Sequence, residues 1–211
     1  MPRRAGSWTH GVVMLALTVT LGACGATRRA PDVQVSEGLP PWMEDGDEVR
    51  LGIARKWLDL GFTQGAMSIV TQMRASGSTS PELDLIQGQA LLAEGVESEA
   101  ERLLVAARDR MSRDPRPHTE LCLLFADQKR VPEAITECQR AVKIDENDAK
   151  AWNNLGFLLL SVERLDEARD AAQRAITLDG TSARYRNNLA VIQAALGQDD
   201  LANRTLQSTM T

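Results

Sequence analysis

The sequence predicts an all-α protein in which about five antiparallel helical pairs stack into a superhelix, an α-solenoid. Columns of small residues recur every 34 residues, a period typical of stacked helical pairs. The first column holds Ala66, Ala100, Ala134, Ala168 and Ala202, and the second holds Ala54, Gly88, Cys122, Gly156 and Ala190. Because two helices approach closely only where small side chains meet, these columns predict the helix crossings. A third column holds Gly61, Gly95 and Gly197, where the first helix of a unit would need a left-handed residue to end.

The N-terminal residues have the layout of an export signal. Arg3 and Arg4 form a basic start, and residues 11–21 form an apolar run. This run is shorter than the roughly 20 residues of a membrane-spanning helix. It ends in the sequence LGAC, whose cysteine is Cys24, and this sequence resembles the lipobox of bacterial lipoproteins. The alternative is an ordinary signal peptide that contains a cysteine.

The lipobox resemblance implies a membrane anchor. In lipoproteins the signal is cleaved just before the cysteine, so residues 1–23 would be removed and Cys24 would carry a diacylglyceryl group and an acylated amine. Several acyl chains hold a protein durably, since each buried methylene contributes about 0.8 kcal/mol. Gly25 stands where an aspartate commonly retains lipoproteins at the inner membrane. The resemblance therefore implies an outer-membrane anchor that faces the periplasm.

Composition and motifs argue against nucleic-acid binding and against catalysis. The formal net charge is −5, and it becomes −7 when residues 1–23 are removed, because they carry two arginines and no acid. Binding to nucleic acid would require a basic patch. The sequence has no zinc-protease, phosphate-loop or nucleophile-elbow motif, and His118, beside Pro117, is expected in a turn between helices. We therefore expect that the protein is not an enzyme and that it binds no cofactor and no metal. A hydrolase that uses carboxylates alone is the remaining enzymatic alternative.

The rest of the chain divides into a tether and a repeat domain. Residues 24–46 contain Pro31, Pro40 and Pro41, which favour an extended spacer. Residues 47–211 hold the repeats, with units that start near residues 47, 81, 115, 149 and 183.

The unit at residues 149–182 resembles the tetratricopeptide repeat. The signature places of that family hold Trp152, Leu155, Gly156, Leu159, Ala168 and Ala175. Gly180 stands where the family usually has a proline near the end of the repeat. The resemblance implies a superhelix with a concave inner face.

In this repeat family the first helix of each unit lines a ligand-binding groove at its second, fifth, ninth and twelfth positions. Carried over to this chain, the second position gives Arg116, Lys150 and Arg184, the fifth gives Thr119, Asn153 and Asn187, the ninth gives Leu123, Phe157 and Val191, and the twelfth includes Leu160. The implied groove has an apolar floor, a row of amides and a cationic edge. Such a surface suits an extended or helical peptide with a carboxylate. Asn154 and Asn188 occupy positions where the side chain often stabilises the fold instead of binding a ligand. Lysine and arginine side chains at the surface are often only solvated, which is the alternative to a ligand-binding role for the cationic edge.

Two cysteines remain besides the lipidated Cys24, and both are predicted at inward positions of the third unit. Cys122 and Cys138 could form a disulfide if their Cα atoms lie within about 7 Å, and an oxidising compartment would preserve it. The alternative is two small buried hydrophobic residues.

Lipidated tetratricopeptide proteins are known in pilus assembly. Tight-adherence (Flp) pilus systems have one, and type IV pilus systems have another that helps the secretin reach and oligomerise in the outer membrane. The stretches AWNNLGFLLL at residues 151–160 and ARYRNNLAVIQAALGQ at residues 183–198 are most similar to the Flp-type member. The resemblance implies a secretin or a pilus-assembly subunit as partner. An adaptor for peptidoglycan-synthesis enzymes and an envelope scaffold that self-associates through its C-terminal end are the alternatives.

Overall fold

Ten α-helices in five antiparallel pairs form the part of the chain that the structure describes. This computed structural model describes residues 46–207. The helices are α1 (Asp47–Asp59), α2 (Thr63–Ala75), α3 (Glu82–Ala93), α4 (Glu97–Arg110), α5 (Pro115–Asp127), α6 (Val131–Ile144), α7 (Ala149–Ser161), α8 (Leu165–Leu178), α9 (Ala183–Ala195) and α10 (Asp199–Gln207). The all-helical superhelix expected from the 34-residue columns is confirmed. The export signal, Cys24 and the tether up to residue 45 lie outside the described residues.

The helical pairs share a core that continues from one unit to the next. Each second helix packs against the first helix of its own unit and against the first helix of the following unit. One buried apolar cluster extends from Leu85 in α3 to Ile192 in α9, and another joins Leu51 in α1 to Ile86 in α3. Since α3 contributes to both clusters, each unit is stabilised by its neighbours, as in other solenoids. Within residues 46–207 no helix is long and apolar enough to cross a bilayer.

The small columns lie at the helix crossings. Ala54 and Ala66, which meet between α1 and α2, are both fully buried. The two helix backbones approach closely at Gly156 in α7, where a Cβ atom would lie 3.1 Å from the Ala168 carbonyl oxygen and 3.2 Å from the Ala172 amide nitrogen of α8. Both neighbours are backbone atoms of a packed helix, so a side chain at this position would force α7 and α8 apart.

The turns inside the units use the left-handed residue that the glycine column predicts. Gly61, Gly95 and Gly197 have φ angles of 80°, 78° and 74°. In the third and fourth units the same column holds Lys129 and Glu163, with φ angles of 62° and 59°. The geometry of the turn is therefore kept even where the sequence lacks the glycine that would adopt it without steric cost.

The structure corrects the placement of His118, which lies inside α5 and not in a turn. Asp114 caps this helix, since its carboxylate accepts a hydrogen bond from the Arg116 backbone N–H. Pro115 and Pro117 fall in the first helical turn, where a missing N–H costs no intrahelical hydrogen bond. The two prolines therefore start the helix, and they carry His118 into its first turn.

The contact at Gly156 makes a stability prediction. Gly156→Ala should lower the free energy of unfolding by about 1–2 kcal/mol, because overpacking at α7 and α8 exceeds the gain in helix propensity. Denaturant titration followed by circular dichroism measures the change. Gly52→Ala is the matched control: Gly52 is also helical, but a Cβ there would meet only the end of the Arg55 side chain at 3.8 Å. That variant should be slightly stabilised, and a stabilised Gly156→Ala would contradict the close-approach explanation.

Candidate functional site

The first helices of the units line the inner side of the superhelix. Neighbouring first helices contact each other directly, as α1 does with α3, α5 with α7, and α7 with α9, whereas the second helices make less contact with one another. A stack whose first helices lie closer together curves toward them. The inner face is therefore formed by α1, α3, α5, α7 and α9.

Two large apolar side chains are exposed on this inner face. Phe157 in α7 is 56% exposed and Val191 in α9 is 57% exposed. They occupy the same position of adjacent units, on two helices that contact each other. Most aromatic side chains of a folded domain are largely buried. An exposed aromatic beside an exposed aliphatic residue on a concave wall therefore marks a surface suited to binding.

Three exposed polar side chains accompany this apolar pair. Lys150 lies two helical turns before Phe157 on α7, which is about 10 Å along the helix axis. On α9, Arg184 lies at the matching spacing before Val191, and Asn187 lies one helical turn before Val191. No ion pair of Lys150 or Arg184 is found within residues 46–207. We call the surface formed by these five exposed residues the C-terminal groove.

Arg116 occupies the same repeat position as Lys150 and Arg184, but other residues of the chain neutralise it. Its guanidinium lies 2.7 Å from a carboxylate oxygen of Glu82 and 2.6 Å from one of Asp114. The hydrogen bonds and charges of these two carboxylates raise the pKa of Arg116. Arg55 approaches Glu82 as well, at 3.3 Å. The inner face of the first three units thus supplies its own counter-charges, unlike the C-terminal groove.

The amide row expected from the sequence lies mostly below the surface. Asn153 is only 1% exposed, and its side-chain oxygen accepts a hydrogen bond from the Asn188 side-chain amide at 2.8 Å. This bond ties α7 to α9, so the pair has a structural role. Thr119 is buried, and its hydroxyl donates to the Pro115 carbonyl oxygen at 3.1 Å. Of the three residues at the fifth position, Asn187 is the one that a ligand can reach without rearrangement.

The remaining apolar positions of the expected groove are half-buried. Leu123 in α5 is partly covered, and Leu160 in α7 packs against the main core. These side chains contribute to the packing of their own units. The structure therefore concentrates the accessible part of the inner face in the fourth and fifth units.

The structure joins Cys122 and Cys138 in a disulfide. Their Cα atoms are 5.3 Å apart, and both side chains are fully buried at the crossing of α5 and α6. The sequence left open the choice between a bridge and two buried thiols. The structure contains the bridge, and it connects the two helices of the third unit covalently.

The repeat signal in the sequence has an independent match. A model described as "TPR repeat" matches residues 123–162, and one described as "Tetratricopeptide repeat" matches residues 149–182. Residues 123–182 therefore match tetratricopeptide repeats. Repeats of this kind bind protein or peptide partners. No curated protein matches the chain significantly.

Solved tetratricopeptide structures share this fold. MamA from Desulfovibrio magneticus RS-1 is 19% identical, with a TM-score of 0.65, and the match covers 78% of this chain and 94% of MamA. Pseudomonas aeruginosa pilF is 14% identical, with a TM-score of 0.67, covering 77% of this chain and 75% of pilF. YrrB, described as a TPR protein with an unusual peptide-binding site, is 19% identical, with a TM-score of 0.61 and coverage of 80% and 89%. At these identities the likeness is one of fold.

The disulfide predicts a stability that depends on reducing conditions. Cross-linking across 16 positions restricts the unfolded chain and should contribute about 3 kcal/mol to the free energy of unfolding. A denaturant titration of the wild-type protein with a phosphine reductant should therefore show a lower midpoint than one without it. The Cys122→Ala/Cys138→Ala variant is the control, because other units place Ala54 or Ala172 at the equivalent positions. Its midpoint should not respond to reductant, and an unchanged wild-type midpoint would argue against the bridge.

Proposed function

We propose that the C-terminal groove binds an extended or helical segment of a protein partner. The observation that carries this proposal is the exposure of Phe157 and Val191 side by side on the inner face. Burying such side chains on binding contributes roughly 1.5–3 kcal/mol each. Peptide ligands commonly insert apolar side chains into grooves of this kind. The description of YrrB as a TPR protein with a peptide-binding site supports a peptide as the ligand class.

The charges of the groove favour a partner segment that combines apolar and acidic residues. Lys150 and Arg184 flank the apolar pair, and their charges are not neutralised by ion pairs within residues 46–207. Carboxylates of a ligand would meet two cations there, and an arginine can hold a carboxylate with two parallel hydrogen bonds. The corresponding cation of the third unit, Arg116, is already paired with Glu82 and Asp114. A ligand should therefore contact the fourth and fifth units rather than the third.

The proposed site of action is the periplasmic face of the outer membrane. The lipobox at Cys24 would anchor the chain, and the tether would place the repeats away from the lipid surface. The buried disulfide of the third unit supports an exported protein, since disulfides persist in oxidising compartments and are rare in the cytosol. We propose a role as a binding scaffold and not as an enzyme.

Within the envelope, the proposed role is to assist the assembly of a pilus or secretion system. The last two units resemble lipidated repeat proteins of Flp and type IV pilus systems, and pilF is among the solved structures that share the fold. The mechanism would resemble that of a chaperone. The anchor would place the groove at the membrane, and the groove would hold a segment of a secretin or a pilus-assembly subunit.

Cross-linking in cells tests the partner and the groove together. The wild-type protein should capture a secretin or a pilus subunit, and Phe157→Ala/Lys150→Ala should reduce capture at least roughly tenfold, because the variant loses an apolar contact and a charge. The control is Phe62→Ala/Lys56→Ala, which removes the same two residue types from exposed positions outside the groove and should capture normally. Equal capture by both variants would place the site elsewhere. Capture of cell-wall synthases would favour the adaptor alternative.

The anchor has its own test. Cys24→Ser removes the sulfur that would receive the lipid, so the protein should remain uncleaved or appear in the soluble periplasmic fraction. Cell fractionation and the mass of the purified protein measure both outcomes. Ser36→Ala, a change within the tether, is the control and should still fractionate with membranes. A Cys24→Ser protein that remains processed and membrane-bound would contradict the lipoprotein assignment.

A further inference from the structure

A surface cavity of about 550 Å³, largely open to solvent, lies outside the C-terminal groove, at the junction of the second and third units. It is formed by the C-terminal ends of α4 and α6 and by the first turn of α5. Arg108 comes from α4, Arg140 and Lys143 come from α6, and His118 comes from α5. Four positively charged or protonatable side chains from three helices therefore face one space.

A buried carboxylate organises the inner wall of this cavity. Glu137 is almost fully buried, and its Oε2 lies 2.6 Å from His118 Nδ1 while its Oε1 lies 3.1 Å from Arg108 Nη1. Arg140 approaches the same carboxylate at 3.6 Å. Burial by itself raises the pKa of Glu137, but the hydrogen bond from His118 and the charges of His118, Arg108 and Arg140 outweigh this effect and lower the pKa. Glu137 is therefore ionised at neutral pH.

This arrangement fixes the His118 ring. Since Glu137 is ionised, its carboxylate can only accept a hydrogen bond. His118 Nδ1 therefore carries a proton and donates a hydrogen bond to Glu137 Oε2. His118 is itself more than nine-tenths buried, so its position is set by the packing of α5 against α6 and not by solvent.

The cationic side chains around the cavity outnumber the carboxylates. Arg108, Arg140 and Lys143 face two acids, Glu137 and the exposed Asp109. The cavity thus has a local positive excess in a chain whose formal net charge is −5. Arg108 uses its donors on Glu137 and Asp109. Arg140 is exposed and approaches Glu137 through only one of its nitrogens, and Lys143 has no ion pair within the described residues.

We propose that this cavity binds an oxyanion, a phosphate or carboxylate group, held by Arg140 and Lys143. Arg140 supplies planar N–H donors and Lys143 supplies a mobile ammonium group, both of which suit oxyanions. The bound group neutralises the positive charge that remains after Glu137 and Asp109 have offset two of the three cations.

Titration with inorganic phosphate and, separately, with succinate tests this site. The full-length protein in detergent micelles at low ionic strength, where screening is weak, is followed by nitrogen–proton NMR. Saturable shifts of the Ser112 amide and the Arg140 side chain should appear with at least one of the two anions. Phosphate alone would indicate a phosphate ester as the natural ligand, succinate alone a carboxylic acid, and both a site that accepts either oxyanion. Shifts of the same size with sodium chloride at matched ionic strength would overturn the proposal.

Charge-removing variants distinguish binding at this cavity from nonspecific attraction of anions to the charged surface. Arg140→Gln/Lys143→Gln should weaken binding at least roughly tenfold, since each removed charge-assisted hydrogen bond contributes strongly. Both side chains are exposed, so the fold should remain. The matched control is Arg174→Gln/Lys129→Gln: Arg174 lies at the position of Arg140 in the next unit, and Lys129 is an exposed lysine outside the cavity. The control should bind as the wild type does, and equal loss in both variants would overturn the assignment.

Discussion

The close approach of two helices within each unit determines the rest of this structure. At the crossing of α7 and α8 a Cβ atom on Gly156 would lie just over 3 Å from backbone atoms of α8, closer than such atoms ordinarily pack. Such proximity gives each pair its tilt, and the pair then presents one first helix to the inner face. Larger apolar residues fill the flanks, as Leu155 and Leu159 do in α7. Since each unit also buries apolar surface of its neighbour, the constraint is repeated along the stack.

The inner face is uniform in geometry but not in charge. In the first three units, Glu82 lies between Arg55 and Arg116 and satisfies both. In the fourth and fifth units, the equivalent face shows two cations beside exposed apolar side chains. A groove that satisfies its own charges offers little to an acidic ligand, because the ligand must compete with carboxylates already in place. The same repeat therefore provides a structural inner face at one end and an accessible one at the other.

Features that repeat could be predicted from the sequence, and features that depend on one pair of residues could not. The 34-residue columns were sufficient for the crossings and for the left-handed turns, because every unit imposes the same steric requirement. The partners of Arg116 could not be predicted, since Glu82 becomes its neighbour only through the stacking of α3 and α5. The bond between Asn153 and Asn188 has the same origin. Pro117 suggests a turn at His118, because proline breaks a helix in its interior, but a proline in the first turn starts a helix.

The third unit links the disulfide to the proposed oxyanion site. Cys122 lies one helical turn after His118 on α5, and Cys138 follows Glu137 directly on α6. The covalent bond between the cysteines therefore fixes the two helices at the level where His118 donates to Glu137. In its absence, α5 and α6 would be joined there only by packing and by one hydrogen bond to a buried carboxylate. A buried carboxylate needs closely held hydrogen-bond partners to offset the cost of its burial, so the bridge, by holding α5 against α6, helps to hold the inner wall of the cavity in place.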